Sequence, residues 1–127
     1  DPANDLSVCY AVRYPNVRNG QNSDRNGGGG ASELNIGEHV DPSLFVVEPA
    51  CGVAGLEVQD RVTRQWIEAE AACKTGEELI VFCGKALEGA TDGRIKGTPH
   101  RVRRGKSPRT CFIYEQKYAD FYCSRLD

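Results

Sequence analysis

Apolar residues in this chain recur at every second position, in short runs broken about every ten residues by Gly, Pro or Asp. Such runs read "SVCYAVRY" (7–14), "LNIGEHV" (34–40), "SLFVVEP" (43–49), "AGLEVQD" (54–60), "RQWIEAEA" (64–71), "EELIVFCG" (77–84) and "RTCFIYEQ" (109–116), with one more strand running through His100. Successive side chains of an extended strand point to opposite faces, so each run offers one face to a core. Many short strands with turn residues between them predict an all-β sandwich or barrel. The turn before the His100 strand is expected at Asp92-Gly93. At the C-terminus Tyr118, Phe121, Tyr122, Arg125 and Leu126 fall at helical spacing, which predicts a short helix packed on the sheets.

The 127 residues are expected to form one domain with its own core. The segment 15–32 is polar and Gly-rich. Its glycines are not followed by Lys-Ser or Lys-Thr, so it reads as a flexible loop rather than a phosphate cradle. A net charge of −2 argues against a protein that coats nucleic acid. No apolar run is long enough to span a bilayer. The first residues carry no basic start followed by an apolar stretch, so no signal peptide is visible. The six cysteines are widely spaced, and several lie within apolar runs. They are expected to be free thiols in a reducing, cytoplasmic setting.

Only two histidines are present, His39 and His100. His39 and Asp41 are two apart; on an extended backbone they share a face, separated by about 7 Å along the strand. A divalent metal would accept both, and a third ligand would have to come from elsewhere. His100 lies on a later strand that could return beside the first pair. Two histidines and one carboxylate with open positions form the facial triad of non-haem Fe(II) oxygenases. The plain alternative is an isolated surface pair and a satisfied polar histidine. Arg109 and Cys111 are again two apart, on the next strand. A buried guanidinium without an anion is costly, which points to a ligand that carries its own carboxylate.

Other features favour ordinary roles. The basic run 93–106 could greet an anionic substrate, but a solvated strand and turn accounts for it. There His100, Val102 and Arg104 share one face and Arg101 and Arg103 the other. Trp66 is expected to pack on a sheet, with Glu68 and Glu70 beside it on a strand edge facing water. A zinc site using Cys73 and Cys83 would need histidines already spent.

The chain resembles the catalytic domain of the iron- and 2-oxoglutarate-dependent dioxygenases, in the isopenicillin N synthase-like branch, over about residues 8–116. Four pieces in order carry this: "RYP" (13–15); "IGEHVDPSLFVVEP" with "AGLEVQ" and "RQWIEAE"; "TGEELIVFCGKALEGATDGRIKGTPHRV"; and "PRTCFIYE". The resemblance implies a double-stranded β-helix, or jelly roll. It implies that His39, Asp41 and His100 bind Fe(II) and that Arg109, helped by Tyr14 and by Cys111 beside it, binds 2-oxoglutarate. With O2, such an enzyme oxidises a C–H bond of a small organic substrate and releases succinate and CO2. Cys111 stands where the family usually has Ser, Val12 where it often has Asn, and Lys85 where Asp is common. The helical region that precedes the family's catalytic core, and that covers one sheet, is not matched here. Three alternatives remain open: a non-catalytic jelly-roll binding module or core fragment without turnover, an oxidase of this fold that does not use 2-oxoglutarate, and an oxygenase acting on protein or nucleic acid.

Overall fold

A computed structural model of the chain describes residues 2–16 and 33–122. Most of the expected 15–32 loop, the end of the tail helix and Cys123 lie outside these residues. Eight strands form two antiparallel sheets. In chain order they are β1 (Val8–Tyr14), β2 (Leu34–His39), β3 (Phe45–Pro49), β4 (Leu56–Gln59), β5 (Trp66–Glu68), β6 (Leu79–Cys83), β7 (His100–Arg103) and β8 (Arg109–Gln116). One sheet has the order β1-β8-β3-β6 and the other β2-β7-β4-β5. This is the jelly-roll arrangement, in which the inner faces of two sheets enclose the core. A short helix, here α2, does occupy the tail at Ala119–Tyr122.

The period-two pattern translates directly into this core. Along β8, Arg109, Cys111 and Glu115 are buried, while Thr110, Phe112 and Tyr114 face outward. Tyr14, Val46, Leu56, Phe82, Val102 and Cys111 pack between the sheets. The outer face of the β1-β8-β3-β6 sheet is apolar as well. Phe112 and Val81 are each 60% exposed there, with Leu79 and Tyr114 beside them. An exposed apolar patch of this kind is unusual on a free-standing surface.

Two local expectations are corrected. No helix is expected between Gly84 and the Asp92-Gly93 turn, but Lys85–Ala90 forms one, α1. "KALEGA" is too short to display a helical period, and the helix is held by tertiary contacts that the sequence does not advertise. The strand expected over 64–71 ends at Glu68, and Glu70–Ala72 forms a single 3₁₀ turn. The Asp92-Gly93 turn is present, with both residues at positive φ.

The junction of β6 and α1 clamps the segment that follows β2. Gly84 N–H donates to Leu44 O at 2.9 Å, Lys85 N–H to Asp41 O at 2.7 Å and Ala86 N–H to Ser43 O at 3.2 Å. A side chain at Gly84 would fall against the Ser43 carbonyl and within 2.8 Å of Asp41 O. Gly84 is therefore required for space, since backbone atoms cannot swing aside. Gly84→Ala is expected to destabilise the fold by about 2 kcal/mol, the usual scale for overpacking, as measured by urea unfolding. It should also weaken any ligand that depends on Asp41.

Candidate active site

The strand pairing brings the two histidines together. In the antiparallel β2–β7 pair, His39 lies directly opposite His100. Their ring centroids are 4.2 Å apart. Asp41 lies just past the end of β2, rather than on the continuous strand expected from spacing. Pro42 has no N–H to continue the ladder, and the clamp from α1 turns Asp41 back toward the histidines. Asp41 Oδ1 is 3.3 Å from His39 Nε2, and its Oδ2 is 3.4 Å from His100 Nε2.

Both imidazoles are oriented from behind. His39 Nδ1 is 2.8 Å from Gly37 O, and His100 Nδ1 is 3.0 Å from Thr98 O. A carbonyl can only accept, so Nδ1 carries the hydrogen in each ring and the neutral ring's Nε2 lone pair points at the shared centre. One ligand atom from each of the three residues lies within 4.8 Å of the others. Among the described residues this is the one such His/Cys/Asp/Glu grouping, so Cys73 and Cys83 build no metal site. The donor set and its convergence fit a divalent metal with an open face. Burial would raise the Asp41 pKa, but a protonated His100, with its Nε2 then also a donor, and the charge of the nearby imidazoles outweigh it and hold the carboxyl below its ordinary range. His100 is the converse: burial alone would lower its pKa, yet Asp41 and the Thr98 carbonyl raise it.

The triad opens on a cavity of about 120 Å³ that also receives Tyr14, Glu48, Arg109 and Cys111. Arg109 is 1% exposed. It lies opposite Tyr14 in the β1–β8 register, with its guanidinium carbon 5.8 Å from the tyrosine ring centre. Gly55 makes room for it: a side chain there would come within 3.0 Å of Arg109 Cδ. Burial raises the pKa of the Cys111 thiol, so it stays a neutral, weak donor.

Two carboxylates change the expected charge balance. Glu70 was expected on a water-facing edge; it is buried, and its Oε1 accepts from Arg109 Nη2 at 2.6 Å. Its Oε2 accepts from Leu56 N–H at 3.1 Å and Gly55 N–H at 3.3 Å. The chain thus supplies Arg109 with an anion of its own, so the cost of a bare buried guanidinium does not by itself require a ligand carboxylate. The switch from strand to 3₁₀ turn after Glu68 is what swings Glu70 inward. Glu48 is a further residue of the site, outside the set expected from the sequence. It shares the inward face of β3 with Val46 and is 4% exposed. An acid in phase with buried valine in "FVVEP" was the available signal. Its Oε1 finds no hydrogen-bond partner, and burial pushes its pKa up to about 7 despite the nearby Arg109.

The basic run behaves as a solvated face. Arg101 Nε is 2.5 Å from Glu57 Oε2, Arg103 Nη1 is 3.3 Å from Glu57 Oε1, and Arg101 lies over the Trp66 ring at 4.1 Å. Arg104 lies past the end of β7 and is exposed, so it does not join the His100 and Val102 face.

Comparison with known proteins agrees with this geometry. Residues 4–116 match the 2OG-Fe(II) oxygenase superfamily. The 2-oxoglutarate-dependent ethylene/succinate-forming enzyme of Ralstonia nicotianae is 26% identical over 121 residues, covering 81% of this chain and 32% of that enzyme. A full-length Neurospora crassa protein solved with alpha-KG superposes with a TM-score of 0.67 at 22% identity, over 88% of this chain and 34% of that one. The same protein has also been solved with alpha-KG and thymine. The rice dioxygenase for auxin oxidation superposes with a TM-score of 0.59 at 20% identity, over 67% of this chain and 29% of that one. The chain thus spans about a third of the length of these relatives.

The raised Glu48 pKa has a definite sign for stability. A carboxyl whose pKa rises on folding favours the folded state below its ordinary pKa of 4.5, and that contribution is lost as pH climbs through about 7. Glu48→Gln keeps the shape without the charge. Its melting temperature should exceed the parent's by a margin that widens from about pH 5 to about pH 8, read by thermal unfolding.

Proposed function

Because the chain belongs to the 2OG-Fe(II) oxygenase superfamily, we propose that it is the catalytic core of an Fe(II)- and 2-oxoglutarate-dependent oxygenase. On this reading it oxidises a C–H bond of a small organic substrate and releases succinate and CO2. One observation carries the reading: His39, Asp41 and His100 converge at a cavity whose wall also holds the buried Arg109.

His39 and His100 hold the iron through Nε2, and Asp41 holds it through a carboxylate oxygen. The Gly37 and Thr98 carbonyls keep both rings in the required tautomer. When bound, Fe(II) supplies dioxygen activation, coupled to oxidative decarboxylation of the 2-oxo acid. Arg109 orients the distal carboxylate of 2-oxoglutarate, with Tyr14 and Cys111 beside it. Val46, Leu56, Phe82 and Val102 wall the cavity with apolar surface and exclude water from the reacting centre. The small cavity, and the thymine held by the Neurospora crassa protein, support a small-molecule substrate rather than a polymer.

The 127 residues form a single core domain in this reading. The apolar outer face of the β1-β8-β3-β6 sheet is the packing surface for a further helical region of the same protein. The exposure of Phe112, Val81 and Leu79 and the greater length of the relatives support this. Cys9, Cys51, Cys73, Cys83 and Cys111 are free, which supports a reducing, cytoplasmic setting. No helix among the described residues is long and apolar enough to cross a membrane. The engagement of Arg109 by Glu70 favours one second reading, a jelly-roll module that binds metal without turnover.

The chain incubated with Fe(II), 2-oxoglutarate and ascorbate is expected to form succinate even without an added substrate. Asp41→Ala should lose both succinate formation and Mn(II) binding by calorimetry while still unfolding cooperatively. Metal binding with no succinate at all would favour the non-catalytic module.

A further inference from the structure

The cavity has an unbalanced set of charges. Arg109 is the one Lys or Arg among the described residues that line it. Its guanidinium already meets Glu70 at 2.6 Å. Besides Asp41 of the triad, Glu48 adds a second carboxyl to the Arg109 side of the cavity, with Oε1 unpartnered. A ligand that brings its own carboxylate to Arg109 makes a third acidic group around one cation. Three ionised carboxylates in a water-poor cavity repel each other strongly, and one proton among them converts repulsion into a short O–H···O⁻ hydrogen bond.

The surroundings decide which group takes that proton. Glu70 is already engaged, because it accepts from Arg109 and from the Gly55 and Leu56 amides. Glu48 has no amide donor of this kind. The charged and titratable groups around it are Arg109 and Cys111 on β8, Tyr14 on β1, Glu70 on the 3₁₀ turn, His100 on β7 and Asp41 after β2. Burial, the largest influence on it, already favours its neutral form. The Cys111 thiol is too weak a donor to take its place.

We infer that Glu48 is a specificity-determining residue for the carboxylate end of the 2-oxo acid. In its protonated form it donates its O–H to the ligand carboxylate seated beside Arg109. The proton comes from solvent: Glu48 carboxylate, one proton and the ligand dianion combine into a Glu48 carboxyl hydrogen-bonded to the ligand carboxylate. No covalent bond changes. This rests on the proposed function in one respect, that the ligand's distal carboxylate reaches Arg109.

The test is calorimetric titration of 2-oxoglutarate into the Mn(II)-loaded chain, in buffers of differing ionisation enthalpy, from about pH 6 to about pH 8. Proton uptake on binding should be near zero at the acid end and approach about one at the alkaline end. Affinity should weaken by up to about tenfold per pH unit above the midpoint. Glu48→Gln, a donor at every pH, should bind without proton uptake and with a flat pH dependence. Glu48→Leu should weaken 2-oxoglutarate about tenfold at the acid end and leave 2-oxobutyrate, which lacks the distal carboxylate, unaffected. Binding of 2-oxoglutarate with no proton uptake, or the same uptake in Glu48→Gln, would overturn the inference and leave the proposed function standing. No binding of 2-oxoglutarate at any pH would overturn the cosubstrate assignment and the inference together.

Discussion

The antiparallel register between β2 and β7 is the constraint on which the rest of the site depends. It sets His39 directly across from His100, so two residues distant in sequence share one point in space. A slip of a single residue would turn one imidazole to the opposite face of the sheet. The register is pinned on both sides of β7, because Val58 of β4 also pairs with His100. Glu88 of α1 fastens the segment before β7 by accepting from the Gly97 N–H at 2.8 Å. Asp41 then depends on a different device, the backbone clamp from α1 that Gly84 makes possible.

Arg109 poses the second problem, a full charge that is 1% exposed. Removing an ion from water costs several kcal/mol unless its hydrogen bonds are replaced. Glu70 and the Val53 carbonyl supply that replacement within the chain. The fold is therefore not left with an uncompensated cation before a ligand arrives. The consequence is a cavity already rich in carboxyl groups, in which an anionic ligand must share a guanidinium. Glu48 gains its interest from that balance, because a carboxyl with no donor of its own is the natural place for a proton.

Much of the fold was legible because strand alternation is a local property. In "RTCFIYEQ" the buried and exposed positions can be assigned by counting in twos, and the structure follows that count. His39, Asp41, His100 and Arg109 were legible as a set because few residue types can hold a metal or a carboxylate. Glu70 was not, since counting in twos assumes that the strand continues, and here it gives way to a 3₁₀ turn. α1 was hidden for a related reason: six residues do not span enough turns to show a period, and its contacts come from the segment after β2. Glu48 lay within reach, as an acid in phase with Val46, but its meaning needed the neighbours that only folding supplies.

By itself the sequence determined the all-β class, the inward faces of the strands and the short list of chemically capable residues. These follow from side-chain alternation and from ligand chemistry, neither of which needs distant contacts. Only the tertiary structure decided that Asp41 bridges both histidines, that Arg109 is already paired and that the buried Glu48 carboxyl lines the same cavity. Distances and burial between residues far apart in the chain set charge balance, and a linear pattern holds no record of them.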